Sequence, residues 1–377
     1  MMRKTVLSAA VHSAAFLSLM AAGASAESGP TFRDTKSQSL GRTGVASSKG
    51  ATALFLNPAA LGREDGGGMG LSLDLGLNSV LLDYASWAAD NYKYLNHTDT
   101  LLTKMGPVDN KWAPFSQSLM LYGNWEGVGF SVLSDTRYDL TLAKAVVTPV
   151  LGVGALSDLV LTAGKGFQVE DGYRFGFALK YLYRLRFTDR LIGTTNNEFF
   201  IVKHAWEKPD HGWSDKLAKL GVAGDIAQTS QGVGLNLGAE KDIDKDWTAG
   251  LSLLDFPTVI DQSFVKPDIN LGLAYHKPVD WVPDLDNKVL VNLDWQHFLI
   301  PGTPWFKQLK AGVALEGYMN KRPVSYIAVG LNDGYPTFGI RLGYIVYLSY
   351  VYVAEETGTY PGQEKLSFHK LVLQAEF

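Results

Sequence analysis

RFGFALKYLYRLRF, residues 174–187, is the stretch that decides the fold. Phe175, Phe177, Leu179, Tyr181, Tyr183, Leu185 and Phe187 share one parity, and Arg174, Gly176, Ala178, Lys180, Leu182, Arg184 and Arg186 share the other. A two-residue period places the two sets on opposite faces of a β-strand. Seven large apolar residues on a single face exceed what an ordinary strand of ~5–6 residues presents to a sandwich core. A tilted membrane strand of ~9–11 residues with aromatic residues at its ends fits the pattern.

The period recurs along the chain. It is clear in MGLSLDLGLN at 69–78 and again at 231–240, 267–277 and 287–298, where Asn292, Asp294 and Gln296 hold the polar parity. Weaker strands are expected near 116–125, 127–136, 157–168, 196–204, 218–227, 246–255, 308–318, 324–331, 336–343 and 345–354. The last twelve residues, LSFHKLVLQAEF, form a final strand closed by Phe377. The polar faces are rich in glycine and carry scattered charges, a composition that suits a lumen better than a dry core. Sixteen candidates result. Omitting one hairpin near 196–217 gives fourteen, the expected number, within a range of twelve to sixteen. Alternate connections are short (343–344, 318–323, 240–246), while the others are longer (355–365, 255–264, 79–115, 137–156). Outer-membrane barrels have this asymmetry of short periplasmic turns and long outer loops. NDGYP at 332–336 and HKPVDWVPDLDN at 276–287 break it. The fold class expected is all-β, a transmembrane antiparallel β-barrel.

Composition agrees. The 377 residues carry a formal net charge of −4 and no cysteine. Mild acidity argues against nucleic-acid binding, and a cysteine-free chain has no disulfide, thiolate metal site or lipid-anchor cysteine. Residues 1–26 read as a cleavable signal peptide: Arg3 and Lys4, an apolar middle, and Ala24-Ser25-Ala26 as cleavage site. No later stretch approaches the ~20 apolar residues of a spanning helix, so a closed barrel is the remaining way to cross a membrane. The expected location is the bacterial outer membrane.

Residues 27–68 do not alternate. They are rich in Gly, Ala, Ser and Thr around one apolar knot, Leu54, Phe55 and Leu56, followed by the turn or helix-start signal Asn57-Pro58. A segment of this length with a packable knot can fill a barrel interior as a hatch or plug, with the barrel proper over 69–377. The stretch GRTGVASSKGATALFLNPAALG resembles the N-terminal region of the FadL-like outer-membrane transporters, a family that includes toluene-uptake channels. GLNDGYPTFGIRLG and YVYVAEETGTYPGQ look more like its divergent PorV-type and TraF-like relatives. The resemblance implies a fourteen-stranded barrel with an internal hatch carrying Asn57, Pro58 and Ala59. It implies uptake of small hydrophobic compounds, of fatty-acid or aromatic type, by a hatch-gated lumen with Leu54, Phe55 and Leu56 as candidate ligand contacts. It also implies that Phe377, Leu373 and Leu371 form the signal read by the barrel-assembly machinery. The alternative is a non-transport barrel that binds protein partners of a secretion or conjugation system.

Lumen-parity charges Lys180, Arg184, Arg186, Asp225, Asp294 and Arg341 are expected to pair across strands rather than to catalyse. No nucleophile–base, phosphate-loop or dinucleotide context is present, and His204 and His211 fit no strong metal site. Expected partners are outer-membrane lipid and a hydrophobic small molecule, with no nucleic acid, cofactor or metal. The 79–115 link is apolar enough to need a ligand, lipid headgroups or a small core of its own.

Overall fold

The computed structural model describes residues 34–377 except 64–67, 95–97, 110, 145–148, 170–171, 194–225, 262, 282–285, 299, 301, 321, 359 and 361. The sheet contains β1 (Gly68–Asn78), β2 (Lys111–Trp125), β3 (Val128–Lys144), β4 (Pro149–Gln168), β5 (Tyr173–Gly193), β6 (Ile226–Asp242), β7 (Trp247–Leu254), β8 (Thr258–Ile260), β9 (Ser263–Phe264), β10 (Asp268–Val279), β11 (Asp286–Trp295), β12 (Leu309–Met319), β13 (Arg322–Asn332), β14 (Tyr335–Gly343), β15 (Val346–Glu356) and β16 (Lys365–Glu376). Every pairing is antiparallel, neighbours follow chain order, and β16 pairs with β1 to close the ring. β8 and β9 form a short hairpin beside β6, so fourteen strands make the wall among the described residues.

The wall is inside-out relative to a soluble protein. On β1, Leu71, Leu73 and Leu75 are exposed while Ser72 and Asp74 are buried. On β5, Phe175, Phe177, Leu179 and Tyr181 are exposed while Arg174, Ala178, Lys180, Leu182 and Arg184 are buried. Apolar residues outward and polar residues inward is the arrangement a closed barrel needs when its outer solvent is hydrocarbon. Leu371 and Leu373 lie on the outward face of β16, and the backbone of Phe377 exchanges hydrogen bonds with Met69 (2.8 and 3.2 Å).

β5 pairs directly with β6 from Tyr173–Lys241 to Phe187–Ile226. The wall therefore has no place for an extra hairpin there; the expected strand at 196–204 lies outside the described residues, as does all of 218–227 but its end. The reading of 137–156 as a loop is corrected: β3 runs to Lys144 and β4 starts at Pro149. Strands β3 to β6 are 17, 20, 21 and 17 residues long, against 8 to 12 for β7 and for β10 through β16. Since ~10 residues cross a bilayer, this quarter of the wall rises beyond the rest at the long-loop end. The short link at 333–334 is a two-residue hairpin with both residues at positive φ, Asp333 at 52° and Gly334 at 82°, as a tight turn requires.

At 255–257 the β7 ladder bulges and continues as β8. Phe256 N–H donates to Leu235 O (2.7 Å), Leu235 N–H to Pro257 O (3.2 Å) and Asp255 N–H to the Asn236 side chain (3.0 Å). The wall stays hydrogen-bonded through the bulge.

Candidate functional site

Residues 34–63 lie in the lumen. Asp34 caps helix α1 (Thr35–Ser39) by accepting Ser37 N–H at 2.7 Å. Gly41 and Arg42 then turn the chain at φ 74° and 65°. Helix α2 (Ala51–Leu56) ends at Asn57, whose carboxamide oxygen accepts Ala59 N–H (3.2 Å) and starts the 3-10 turn Pro58–Gly62. Asn57 is fully buried, and its other end donates to Val45 O (2.7 Å) and to Ala239 O of β6 (3.3 Å). One side chain thus ties the two halves of the insert to each other and to the wall.

The half around 36–47 is held by polar contacts and by a small apolar cluster in which Leu40 and Ala46 pack with Ala274, Leu290, Ala314, Tyr326 and Ala328. Asp294, 1% exposed, accepts Gly44 N–H (2.8 Å) and Val45 N–H (3.1 Å). Asn292 donates to Thr43 (3.1 Å) and Ser47 (2.7 Å), and Gln296 to Arg42 O (2.8 Å). Thr337 accepts Gly41 N–H (3.0 Å) and donates to Ser39 O (2.7 Å). Lys36 pairs with Glu316 (2.9 Å) and Arg42 with Glu355 (2.6 Å). At the other end Arg63 reaches Glu240 (2.8 Å), which Arg174 also bonds (3.0 Å) while gripping Asp242.

The half around 51–62 is held by apolar packing. Leu54, Phe55 and Leu61 sit in one buried cluster with Met120, Leu133, Val160, Ala178, Leu182, Ile260 and Val265. Leu54, Phe55 and Leu56 are at most 2% exposed. These three are core residues of the filled lumen, and no side of them borders the cavity described below.

The inward glycines admit the insert at backbone distance. A Cβ built on Gly238 would lie 2.0 Å from Asn57 Oδ1, and one on Gly176 2.3 Å from the Pro58 carbonyl. Gly312 and Gly330 meet Leu40 and Gly41 in the same way. Glycine on this parity makes room for a second chain segment.

The expected lumen charges have separate fates. Lys180 pairs with Asp255 at the bulge, and Arg184 grips Asp158 (2.7 and 2.8 Å). Asp294 anchors the insert, Arg186 is exposed, and Asp225 lies outside the described residues, as do His204 and His211. Arg341 faces a cavity of about 850 Å³ at the short-turn end, below the insert. Lys36, Ala51, Ser72, Asp74, Tyr122, Glu316, Tyr326, Tyr347 and Glu376 are among its lining residues. Among the described residues no three His, Cys, Asp or Glu side chains converge on a metal position. Sequence reasoning missed Glu240, Glu316, Glu355 and Thr337 as anchors; their inward parity was the available signal, but not their partner.

At the long-loop end, α3 (Ser79–Asn91) and α4 (Thr98–Lys104) form a small cap with its own core. Leu102, Met105 and Val108 are buried, with Tyr84, Trp87 and Leu142 against them. Tyr84 donates to Lys111 O and accepts Leu142 N–H (3.0 Å), and burial pushes its hydroxyl above the usual value. Leu82 and Tyr92 remain exposed.

The TodX deltaS2 mutant monoaromatic hydrocarbon channel superposes with a TM-score of 0.53 at 12% identity, over 91% of this chain and 97% of that one. The TodX deltaS2S3 mutant gives 0.51 at 11%, over 91% and 98%. The barrel has the fold of the FadL-like hydrocarbon channels. The Pseudomonas putida toluene transporter TodX gives 0.49 at 11%, over 93% and 99%. No protein-family model matches the sequence, and no curated protein does. The likeness is one of fold, carried by closed strand order over nearly the whole of both chains.

Proposed function

We propose that this chain is an outer-membrane channel that takes up small hydrophobic compounds, with residues 34–63 as the gate. The observation that carries the reading is the insert itself: a dedicated segment fills an inside-out barrel through individual polar contacts that can be exchanged for water. The two TodX mutants are forms of one monoaromatic hydrocarbon channel, which supports the same class of cargo here. In this reading the long-loop end faces outward and the exposed apolar wall meets lipid. Asn57, Pro58 and Ala59 form the hinge of the hatch, and the strand ending in Leu371, Leu373 and Phe377 is what the assembly machinery reads. The N-terminal 26 residues direct export.

Passage requires the insert to loosen on one side and open a path past it to the 850 Å³ cavity. The buried knot of Leu54, Phe55 and Leu56 would then offer the cargo an apolar surface. Proteoliposomes containing the barrel should accumulate toluene and a medium-chain fatty acid faster than protein-free vesicles, and faster still when residues 34–63 are deleted. Equal rates for folded barrel and empty vesicles would overturn the reading. The exposed Leu82 on α3 and Tyr92 just after it would then favour a barrel that binds a protein partner through its cap.

A further inference from the structure

The cap stands against the outside of the barrel rather than over its mouth. Leu142, which packs on the cap core, has the outward parity of Phe130 and Val132 on β3. Ser79 Oγ meets Ser367 Oγ (2.7 Å), and Ser367 has the outward parity of Leu371 and Leu373 on β16. Helix α3 also starts where the lipid-facing belt ends. Tyr352, His369, Leu77, Phe115 and Tyr138 are register neighbours in one outward row. All but Leu77 are rings, and Phe115 stacks on Tyr138 with 4.4 Å between centroids. Such a row marks the headgroup level on a membrane barrel. β1 ends one residue above it at Asn78, whose side chain caps α3, so no linker separates strand from helix.

With 13 residues α3 is about 20 Å long, and successive side chains turn by about 100°. Three flanks result. Tyr84 and Trp87 face the cap core. Leu81, Leu82, Ala85, Ala88 and Ala89 share a second flank with Tyr92 of the following turn, and Asp83, Ser86 and Asp90 share a third. No residue of α3 is buried. Leu82 is 45% exposed, as much as Leu71 and Leu75 on the lipid-facing wall, and Tyr92 is 70% exposed. An apolar flank beside an acidic one, carried at headgroup level, is the pattern of a helix lying in the interface. We infer that α3 is an interfacial helix, with Leu82, Ala85, Ala89 and Tyr92 set into the acyl–headgroup boundary of the leaflet at the long-loop end. The occupant of this face is the bilayer that surrounds the wall, continuous with the belt of β1 and β16. The assignment is independent of what the lumen carries.

The chain has no cysteine, so a single introduced cysteine carries a fluorophore without background. Full-length Leu82→Cys, Ala89→Cys, Asp90→Cys and Leu71→Cys barrels are labelled with the dye NBD and placed singly in phosphatidylcholine nanodiscs, which excludes a second copy. All four positions are exposed, so the substitutions open no cavity, and heat-modifiable migration checks folding. Lipids with a nitroxide on the shallow acyl carbons should quench the label at 82 and 89 as strongly as a deep nitroxide quenches it at 71. Aqueous iodide should quench the label at 82 and 89 about fivefold less than at 90, on the acidic flank. Equal iodide quenching at 82, 89 and 90 overturns the inference and puts the whole helix in water. Iodide protection at 82 and 89 without nitroxide quenching overturns it as well, since that flank would then lie against the protein itself. Neither outcome touches the channel reading, which is decided by uptake.

Discussion

Replacing Asp294 with alanine should release one half of the insert while leaving the barrel whole. The carboxylate accepts two backbone N–H groups, from Gly44 at 2.8 Å and Val45 at 3.1 Å, and is 1% exposed. Hydrogen bonds to charged groups contribute about 1.5–3 kcal/mol each, and the lower figure applies in a lumen where water can replace the partner. Two bonds give about 3 kcal/mol, which at about 1.4 kcal/mol per decade raises the detached population roughly a hundredfold. Asp294→Asn keeps one acceptor oxygen and should give a smaller rise. Hydrogen exchange of the barrel in detergent reads this directly: the amides of 43–47 should lose about two decades of protection, while those of β11 and β12 keep theirs. Unchanged protection at Gly44 and Val45 would refute the anchoring argument. Equal loss in β11 and β12 would show that the residue holds the wall, not the insert.

Four other perturbations separate the parts of the molecule. Gly238→Val puts methyl groups where Asn57 now sits, so the insert should unseat and trypsin should cut at Arg42 and Arg63 in a barrel that still migrates as folded. Met105→Ala removes a fully buried side chain from the cap, a loss of about 2–5 kcal/mol, and should expose 79–109 to proteolysis without lowering the barrel's thermal transition. Lys180→Met strands Asp255 in the lumen and should loosen the 255–264 bulge, measured by exchange there; Lys180→Met with Asp255→Asn should recover most of the loss. Deleting Phe377 removes the mutual backbone bonds with Met69 and should reduce the folded fraction reaching the membrane, scored by heat-modifiability of membrane extracts.

The wall was legible because its signal is a face, not a contact: period-2 alternation in 174–187 or 69–78 needs no knowledge of which strand lies beside it. Where tertiary context decides, the sequence fell short. The stretch 137–156 reads as a loop, yet 137–144 and 149–156 are strand, because they pair with each other from Arg137–Leu156 to Lys144–Pro149, a partnership no local pattern announces. Helix α3 carried a readable start, with Asn78 capping by accepting Val80 N–H at 2.7 Å and Val80, Tyr84 and Trp87 following at helical spacing. It stayed hidden inside a loop judged only by its apolar content. In the lumen, Asp294 and Asn292 were visible as inward polar residues, but an anchor is a pair. The partner of Asp294 is a pair of backbone amides 249 and 250 residues away.

The two kinds of attachment imply an order of release. Breaking the polar contacts of 36–47 lets water take each bond in turn, at a net cost of ~1 kcal/mol where neither partner is charged and more at Asp294, Lys36 and Arg42. Pulling Leu54, Phe55 and Leu61 from their cluster offers no such replacement, since each leaves a cavity among Leu133, Val160, Leu182 and Ile260 worth several kcal/mol. In the gating we propose, the 36–47 half, which buries only Leu40 and Ala46 in its apolar cluster, would leave before the 51–62 half, which buries Leu54, Phe55 and Leu61. Asn57 sits at the joint, bonded to Val45 on one side and Ala239 on the other. In that proposed opening the Asn57–Val45 bond must break together with the bonds from Arg63 to Ala46 O (2.6 Å) and Ser48 O (3.0 Å), whereas the bond to Ala239 can persist. The cavity borders Asp34, Thr35 and Lys36 from the first half of the insert and Ala51 and Thr52 from the second. In the proposed opening, release of 36–47 would enlarge that cavity from above while leaving the apolar cluster around Leu54, Phe55 and Leu61 in place.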